Sequence, residues 1–118
     1  ATLVLFGEDE DRKALDRAFQ NLKNSPLNLA GQTSLPLLGA LIERLTLLIT
    51  NDSGPAHIAY ALGTPCVTIF GGADPLRYGP PTGPFTALVH PAPCRPCEDA
   101  PCPFDLSCLK GISVDSVF

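Results

Sequence analysis

The chain has 118 residues, of which 45% are apolar and 17% are charged, against about 25% charged residues in an average globular domain. These values exclude a disordered chain, which combines low hydrophobicity with high net charge. Eight Lys and Arg against twelve Asp and Glu give a net charge of −4 without a basic cluster, so we expect no nucleic-acid partner. No apolar run approaches the roughly 18 residues of a membrane span, and we expect no transmembrane segment.

Strands and helices alternate along the first 90 residues. Apolar runs predict strands at 2–6, 27–30, 45–50, 65–70 and 85–89. Helical spacing and capping residues predict helices at 8–23, 35–44 and 56–62, and a loop at 74–84. This alternation is typical of the α/β class and predicts a Rossmann-like parallel sheet with helices on both faces over residues 1–90. Residues 91–118 are predicted to be a Cys- and Pro-rich irregular segment followed by a helix start at Ser113 or Asp115.

Small residues follow three of the predicted strands. These positions are Gly7, the segment 51–54, and the pair Gly71 and Gly72. Because the carboxyl ends of parallel strands lie along one edge of a sheet, where ligands bind, we expect these loops to lie together.

The segment Asp-Ser-Gly-Pro-Ala-His at 52–57 predicts an anion site at a helix N-terminus. Pro55 suits the first helical turn, and Gly54 lets a ligand approach the backbone. Free amides of that turn, the Ser53 hydroxyl and His57 could then bind a phosphate. Asp52 suits a sugar hydroxyl better than a phosphate. An equally weighted alternative is an ordinary capped helix with a partly buried histidine.

The loop Phe-Gly-Gly-Ala-Asp-Pro at 70–75 is a second candidate site. Two glycines after a buried strand allow backbone amides to form an anion-binding concavity, although an ordinary tight turn is the more common structure for such a sequence. Beside the first loop, it would suit a diphosphate. The chain lacks the Gly-x-Gly-x-x-Gly fingerprint and the Gly-Lys-Ser phosphate loop, which weakens redox and phosphoryl-transfer hypotheses.

Four blocks of this sequence, in order, resemble glycosyltransferase family 9, the bacterial heptosyltransferases of lipopolysaccharide core synthesis and their relatives. The blocks are Asn-Leu-Ala-Gly-Gln-Thr-Ser-Leu at 28–35, Thr-Asn-Asp-Ser-Gly-Pro-Ala-His-Ile-Ala at 50–59, Ala-Leu-Gly-Thr-Pro at 61–65 and Phe-Gly-Gly-Ala-Asp-Pro at 70–75. The likeness covers nearly the whole chain, and its most specific part is Asp-Ser-Gly-Pro-x-His.

The resemblance implies a GT-B architecture of two Rossmann-like domains, with this chain as the C-terminal, donor-binding domain. The residues that it implies for binding a nucleotide-diphosphate sugar are Asp52, Ser53, Gly54, Pro55, His57, Gly71, Gly72 and Asp74. Ser53, Gly54 and His57 would hold the diphosphate, and Asp52 would lie near the transferred sugar. The turn containing Thr33 and Leu35 would border the nucleotide base, and Glu8 or Asp9 would reach the ribose.

The same resemblance implies the reaction. A sugar, heptose or a related one, would pass from a nucleotide diphosphate to a hydroxyl of the lipopolysaccharide core or of another glycan or lipid-linked acceptor. The catalytic base is expected in an N-terminal domain, so we expect no catalytic residue among these 118 and no activity from them alone. No metal is required for catalysis. The expected location is cytoplasmic or peripheral at the inner face of the bacterial inner membrane.

Two features of the chain fit a part of a longer protein: it contains no Met, and its end has the form of a capped helix start. An alternative function of a different class is a non-catalytic module that binds a nucleotide sugar or a metal. A facing domain with a carboxylate opposite Asp52 would favour the enzyme.

Four of the five cysteines cluster near the end of the chain, at Cys94, Cys97, Cys102 and Cys108. The opening C-x2-C is a common zinc half-site, although the second pair is spaced more loosely than in zinc ribbons. The spacing therefore leaves open a structural zinc, reduced thiols or redox pairs. Cys66 lies in a predicted buried strand and is expected in the core.

Overall fold

The structure is a computed structural model that describes residues 1–97 and 101–117. It divides into two compact units, Ala1–Leu38 and Gly39–Phe118. The boundary differs from the sequence-based division at residue 90, and the Cys-rich segment shares the second unit with β3 (Leu48–Asn51), β4 (Cys66–Ile69) and β5 (Phe85–Leu88). The Cys-rich segment belongs to the second unit because it hydrogen-bonds with the loop after β4.

The first unit contains two short parallel strands, β1 (Val4–Leu5) and β2 (Leu27–Asn28), joined through a helix. A 3-10 turn at Asp9–Asp11 precedes α1 (Arg12–Phe19), so the predicted helix at 8–23 is shorter than expected. The Glu8 N–H donates to the Asp11 carboxylate at 2.9 Å, and this local bond stabilises the tighter first turn.

The helix α2 (Leu35–Ile42) agrees with the predicted start, and the Leu37 N–H donates to the Ser34 hydroxyl at 3.4 Å. In the second unit, α3 (Gly54–Leu62) lies between β3 and β4 in the chain and ends at Gly63, whose φ is 72°. A left-handed residue of this kind is the usual terminator of a helix, and glycine adopts it without steric cost.

The second unit is built on a three-stranded parallel sheet in the order β3-β4-β5. Its core contains Phe70, Thr68 and Cys66, which are almost fully buried on or directly after β4. The Tyr60 hydroxyl of α3 hydrogen-bonds with the Thr68 hydroxyl at 2.6 Å, which joins the helix to the central strand.

The parallel strands alternating with helices confirm the predicted fold class, but one detail was wrong. The strands hydrogen-bond in two separate sheets rather than one, and Gly7 follows a strand of the first unit. Alternation of strands and helices indicates parallel pairing but does not specify which strands share hydrogen bonds. The structure therefore places together the loops that follow β3 and β4, and the meeting of the Gly7 loop with them stays a prediction.

The later part of the chain contains more helix than expected. The predicted loop at 74–84 includes α4 (Pro75–Tyr78), and α5 (Ser107–Lys110) lies at the end of the segment predicted to be irregular. The helix α6 (Val114–Val117) agrees with the helix start predicted at Ser113. Local capping explains two of them: the Asp74 carboxylate accepts from the Leu76 N–H at 2.9 Å, and the Ser113 hydroxyl accepts from the Ser116 N–H at 3.2 Å. No helix in the described ranges is long and apolar enough to cross a membrane.

Candidate functional site

The two candidate loops leave the sheet at neighbouring positions. Asn51 ends β3 opposite Ile69, the last residue of β4, and the Asp52 N–H donates to the Ile69 carbonyl at 3.1 Å. Ile69 in turn lies opposite Leu88, the last residue of β5. The parallel register therefore places the starts of the two loops side by side, as the sequence predicted for these two strands.

The N-terminus of α3 is open. Ser53 is the N-cap residue with extended backbone, but its side chain makes no capping hydrogen bond. Gly54 is exposed, and a Cβ built on it would meet no atom within 4 Å. Within residues 1–97 and 101–117, the Gly54 N–H has no hydrogen-bond acceptor. The helix dipole and this unpaired donor favour an anion at the tip.

The Ser53 hydroxyl faces its own strand end in this structure. It donates to the Asn51 carbonyl at 3.1 Å and lies 3.3 Å from the Thr50 hydroxyl. To donate to a phosphate oxygen, it has to rotate away from the Asn51 carbonyl. Rotation of an exposed hydroxyl is inexpensive because its hydrogen takes whichever acceptor is available.

Asp52 and His57 lie close together across the tip. The distance between the Asp52 Oδ1 and the His57 Nε2 is 3.8 Å, and the His57 side chain is 53% exposed against 21% for Asp52. The ring of His57 packs edge-to-face on Tyr60, with 5.6 Å between centroids. The Tyr60 ring thus supports the imidazole on one side, and the imidazole remains accessible to a ligand.

The loop after β4 is held by the Cys-rich segment. The Arg95 guanidinium donates to the carbonyls of Phe70 at 3.1 Å, Gly71, and Ala73 at 3.0 Å. The Cys97 N–H donates to the Gly72 carbonyl at 2.9 Å. Four consecutive carbonyl groups are therefore bound by residues 95–97, a contact that neither the glycine pair nor the cysteine spacing predicts.

Close packing explains why glycine occurs twice in this loop. A Cβ on Gly72 would lie 2.5 Å from the Cys97 carbonyl oxygen, and one on Gly71 would lie 3.3 Å from the Leu109 side chain. Gly72 is thus required by a backbone that passes directly over it, whether or not a ligand binds on the other side.

The remaining predicted site residues have diverse settings. The Asp74 carboxylate already caps α4 through Oδ1. Pro55 is half-buried in the first turn of α3. Thr33 and Leu35 belong to the first unit, where Leu35 begins α2 and is exposed.

Two acidic residues of the first unit are predicted to contact the ribose of the nucleotide. Glu8 and Asp9 are both exposed. The Asp9 side chain lies against Gly31, whose φ of 71° favours glycine. The contacts of these residues and of Thr33 and Leu35 with a nucleotide stay predictions.

The four clustered cysteines form no disulfide in this structure, and Cys108 is buried while the other three are half-buried. Within the described ranges, no group of three or more His, Cys, Asp or Glu side chains is arranged to hold a metal ion. The described ranges therefore supply no ligand set for zinc, and the structural zinc stays a prediction from the spacing. The ring of His90, two residues beyond the end of β5, lies against Gly111.

Two titratable groups lie under the tip of α3. Burial raises the pKa of Tyr60, against the opposing effect of its hydrogen bond with Thr68. Burial also raises the pKa of the Cys66 thiol, which lies 3.3 Å from the same hydroxyl. Both groups therefore stay neutral at physiological pH and act as a polar support for the helix rather than as charged ligands.

Arg95 is the residue at this edge that sequence reasoning missed. Only its position between two cysteines was visible in the sequence, and that pattern indicated a metal site. A lone arginine in a proline-rich segment gives no signal for a contact with a loop more than twenty residues earlier in the chain.

Comparisons with known proteins agree with the motif resemblance. Residues 1–107 match the family described as glycosyltransferase family 9 (heptosyltransferase). The lipopolysaccharide core heptosyltransferase OpsX of Haemophilus influenzae is 46% identical over 56 residues, which are 48% of this chain and 16% of that protein. The lipopolysaccharide heptosyltransferase 3 of Escherichia coli is 41% identical over 80 residues, which are 66% of this chain and 24% of that protein.

A solved structure supports the same conclusion. The ADP-heptose lipopolysaccharide heptosyltransferase II of E. coli superposes with a TM-score of 0.67 at 31% identity, over 77% of this chain and 29% of that one. The chain therefore spans well under half the length of these relatives. By the match over residues 1–107, the chain belongs to glycosyltransferase family 9.

Proposed function

We propose that this chain is the donor-binding part of a glycosyltransferase that transfers a sugar from a nucleotide diphosphate to a glycan acceptor. The observation that carries the proposal is the open N-terminus of α3, where the Gly54 N–H is exposed beside the accessible His57 ring and the Asp52 carboxylate. Family membership supports a nucleotide-sugar donor for such a site.

The donor diphosphate would lie against the tip of α3, with the glycine loop beside it. The Gly54 N–H and the helix dipole would stabilise negative charge, and this stabilisation grows as the nucleoside diphosphate leaves. His57 would donate to a phosphate oxygen through Nε2, which lies near the Asp52 carboxylate. Asp52 would accept a hydrogen bond from a hydroxyl of the sugar.

The chemical step needs a base that accepts the proton of the acceptor hydroxyl. From the family resemblance we expect this base in another domain, so that residues 1–118 would contain no catalytic group. Amides and side chains would stabilise the leaving group here, so no divalent metal is required in the proposed reaction.

The relatives define the substrates to test first. The E. coli structure is named for ADP-heptose, and the curated relatives are named for lipopolysaccharide. We therefore propose ADP-heptose as donor and a lipopolysaccharide-core glycan as acceptor. Such an acceptor would place the protein in the cytoplasm or at the inner face of the bacterial inner membrane.

Substitutions at the tip of α3 test the donor site. In the full-length protein, Ser53→Ala and His57→Ala should each weaken the affinity for ADP-heptose about tenfold, because each removes one hydrogen bond to a charged phosphate. Isothermal titration calorimetry measures the affinity, and circular dichroism checks that the fold is retained.

Ser25→Ala, an exposed serine of the first unit, is the matched control and should bind as the unaltered protein does. Unchanged affinity in both tip variants would place the donor site elsewhere. Donor binding without transfer to any glycan acceptor would instead favour the non-catalytic module.

A further inference from the structure

Arg95 is a part-buried cation that the proposed donor site does not include, although its contacts lie at the same edge of the sheet. Its two terminal nitrogens bind three carbonyl groups of the loop after β4, at Phe70, Gly71 and Ala73. The main chain of the same segment binds the fourth, because the Cys97 N–H donates to Gly72. Arg95 thus contacts a loop 22 to 25 positions earlier in the chain.

These contacts fix the direction of the amide groups as well as the carbonyl groups. In a trans peptide unit, the C=O of one residue and the N–H of the next point to opposite sides. Since the carbonyls of residues 70–73 are bound by residues 95–97, the N–H groups of residues 71–74 point away from that segment. Within the described part of the chain, these four N–H groups have no hydrogen-bond acceptor.

The charge of Arg95 adds to this geometry. A carbonyl bound by a cation is polarised, and the N–H of the same peptide unit becomes a stronger donor. Arginine suits the position because its planar fork can reach several acceptors at once, whereas lysine offers a single point charge. The Arg95 guanidinium thus binds one side of the loop and strengthens the N–H donors of residues 71–74, which point to the opposite side.

We propose that Arg95 is a positioning residue for donor binding, which acts by holding the loop at 70–74 so that its amide groups are presented to the donor diphosphate. The proposal rests on the proposed function, since it requires a diphosphate beside the tip of α3. It assigns the Cys-rich segment a task in the donor site that does not depend on a bound metal.

The test compares three variants of the full-length protein. Arg95→Gln removes the charge and the fork, Arg95→Lys keeps the charge alone, and Arg44→Gln alters an exposed arginine at the end of α2 as the matched control. We expect Arg95→Gln to raise the KM for ADP-heptose and the Kd for ADP about tenfold, with kcat changed less than about twofold. Arg95→Lys should lie between Arg95→Gln and the unaltered protein, and Arg44→Gln should behave as the unaltered protein.

Hydrogen exchange of the ligand-free protein provides a second readout. We expect faster exchange of the Cys97 N–H, which donates to the Gly72 carbonyl, in Arg95→Gln, and little change at the tip of α3. Exchange of the Cys97 N–H reports the contact between the two segments and does not depend on whether the donor has been identified correctly.

Several outcomes would overturn the proposal. ADP affinity and Cys97 N–H exchange that stay unchanged in Arg95→Gln would do so, as would a fall in kcat without a change in KM. If Arg95→Gln does not fold, Arg95→Lys decides: unaltered donor affinity in a folded lysine variant overturns the role of the fork. When Ser53→Ala and His57→Ala weaken donor binding but the two Arg95 variants do not, only this inference is overturned. When donor binding is unchanged in all four variants, the proposed function is overturned as well.

Discussion

The two segments at the carboxyl edge of the second sheet differ in what holds them. The segment 52–57 after β3 is organised locally: Ser53 bonds to Asn51, and the helix begins at Gly54 with open space around it. The loop at 70–74 after β4 is organised from a distance, through Arg95 and Cys97. Gly54→Ala is therefore expected to change the binding of a ligand, whereas Gly72→Ala is expected to change the stability of the fold.

The largest expected effect is the loss of stability in Gly72→Ala. The added Cβ would lie 2.5 Å from the Cys97 carbonyl oxygen, so one of the two backbones has to move. Overpacking of this kind costs about 1–3 kcal/mol of unfolding free energy. Urea unfolding of the full-length protein, followed by circular dichroism, measures the cost.

Gly54→Ala is the matched control for Gly72→Ala. Its Cβ meets no atom within 4 Å, so its stability should stay within about 0.5 kcal/mol of the unaltered protein. Under the proposed function it should still weaken ADP binding, because the Cβ stands where the ligand approaches. Equal destabilisation by the two alanines would contradict the contrast between a locally and a remotely held segment.

A smaller effect is expected for Thr68→Val, which alters the element that both segments share. Thr68 is fully buried on β4, and its hydroxyl bonds with Tyr60 of α3 and contacts the Cys66 thiol. Loss of this hydroxyl leaves its buried hydrogen-bond partners unsatisfied and should lower the free energy of unfolding by about 1–2 kcal/mol. Thermal unfolding measures it, with Thr86→Val on the exposed face of β5 as control. Equal melting temperatures for the two variants would show that the buried bonds contribute nothing.

The smallest expected effect is a loss of stability at high pH. Burial raises the pKa of Tyr60 and of Cys66 in the folded chain, so the unfolded state releases their protons first. The stabilisation from both groups is fully present at neutral pH and is lost as the pH rises above about 8.5 for cysteine and about 10 for tyrosine. Urea midpoints between pH 7 and 11 measure it, and Tyr60→Phe should flatten the upper part of the curve. An identical pH profile for Tyr60→Phe would exclude Tyr60 as the source.

The structural features predicted best from the sequence are those that depend on residues close together in the chain. The start of α3 at 52–57 and its end at Gly63 follow from proline, glycine and capping preferences that act within one helical turn. The one-turn helix after Asp74 follows the same rule, but the glycines and prolines around it indicated a loop. A single cap with proline behind it is a weak signal when the helix is only four residues long.

Residue patterns alone therefore predicted the parallel α/β class, the adjacency of the loops after β3 and β4, and the start of α3 near Pro55. These features depend on periodicity, capping and the fixed direction of parallel strands, which are local or general properties of the chain. The folded structure was needed to show that the strands divide into two sheets and that Arg95 binds the loop at 70–73. Such contacts join residues far apart in the chain, and a linear pattern of residue types does not encode which distant backbone a guanidinium will meet.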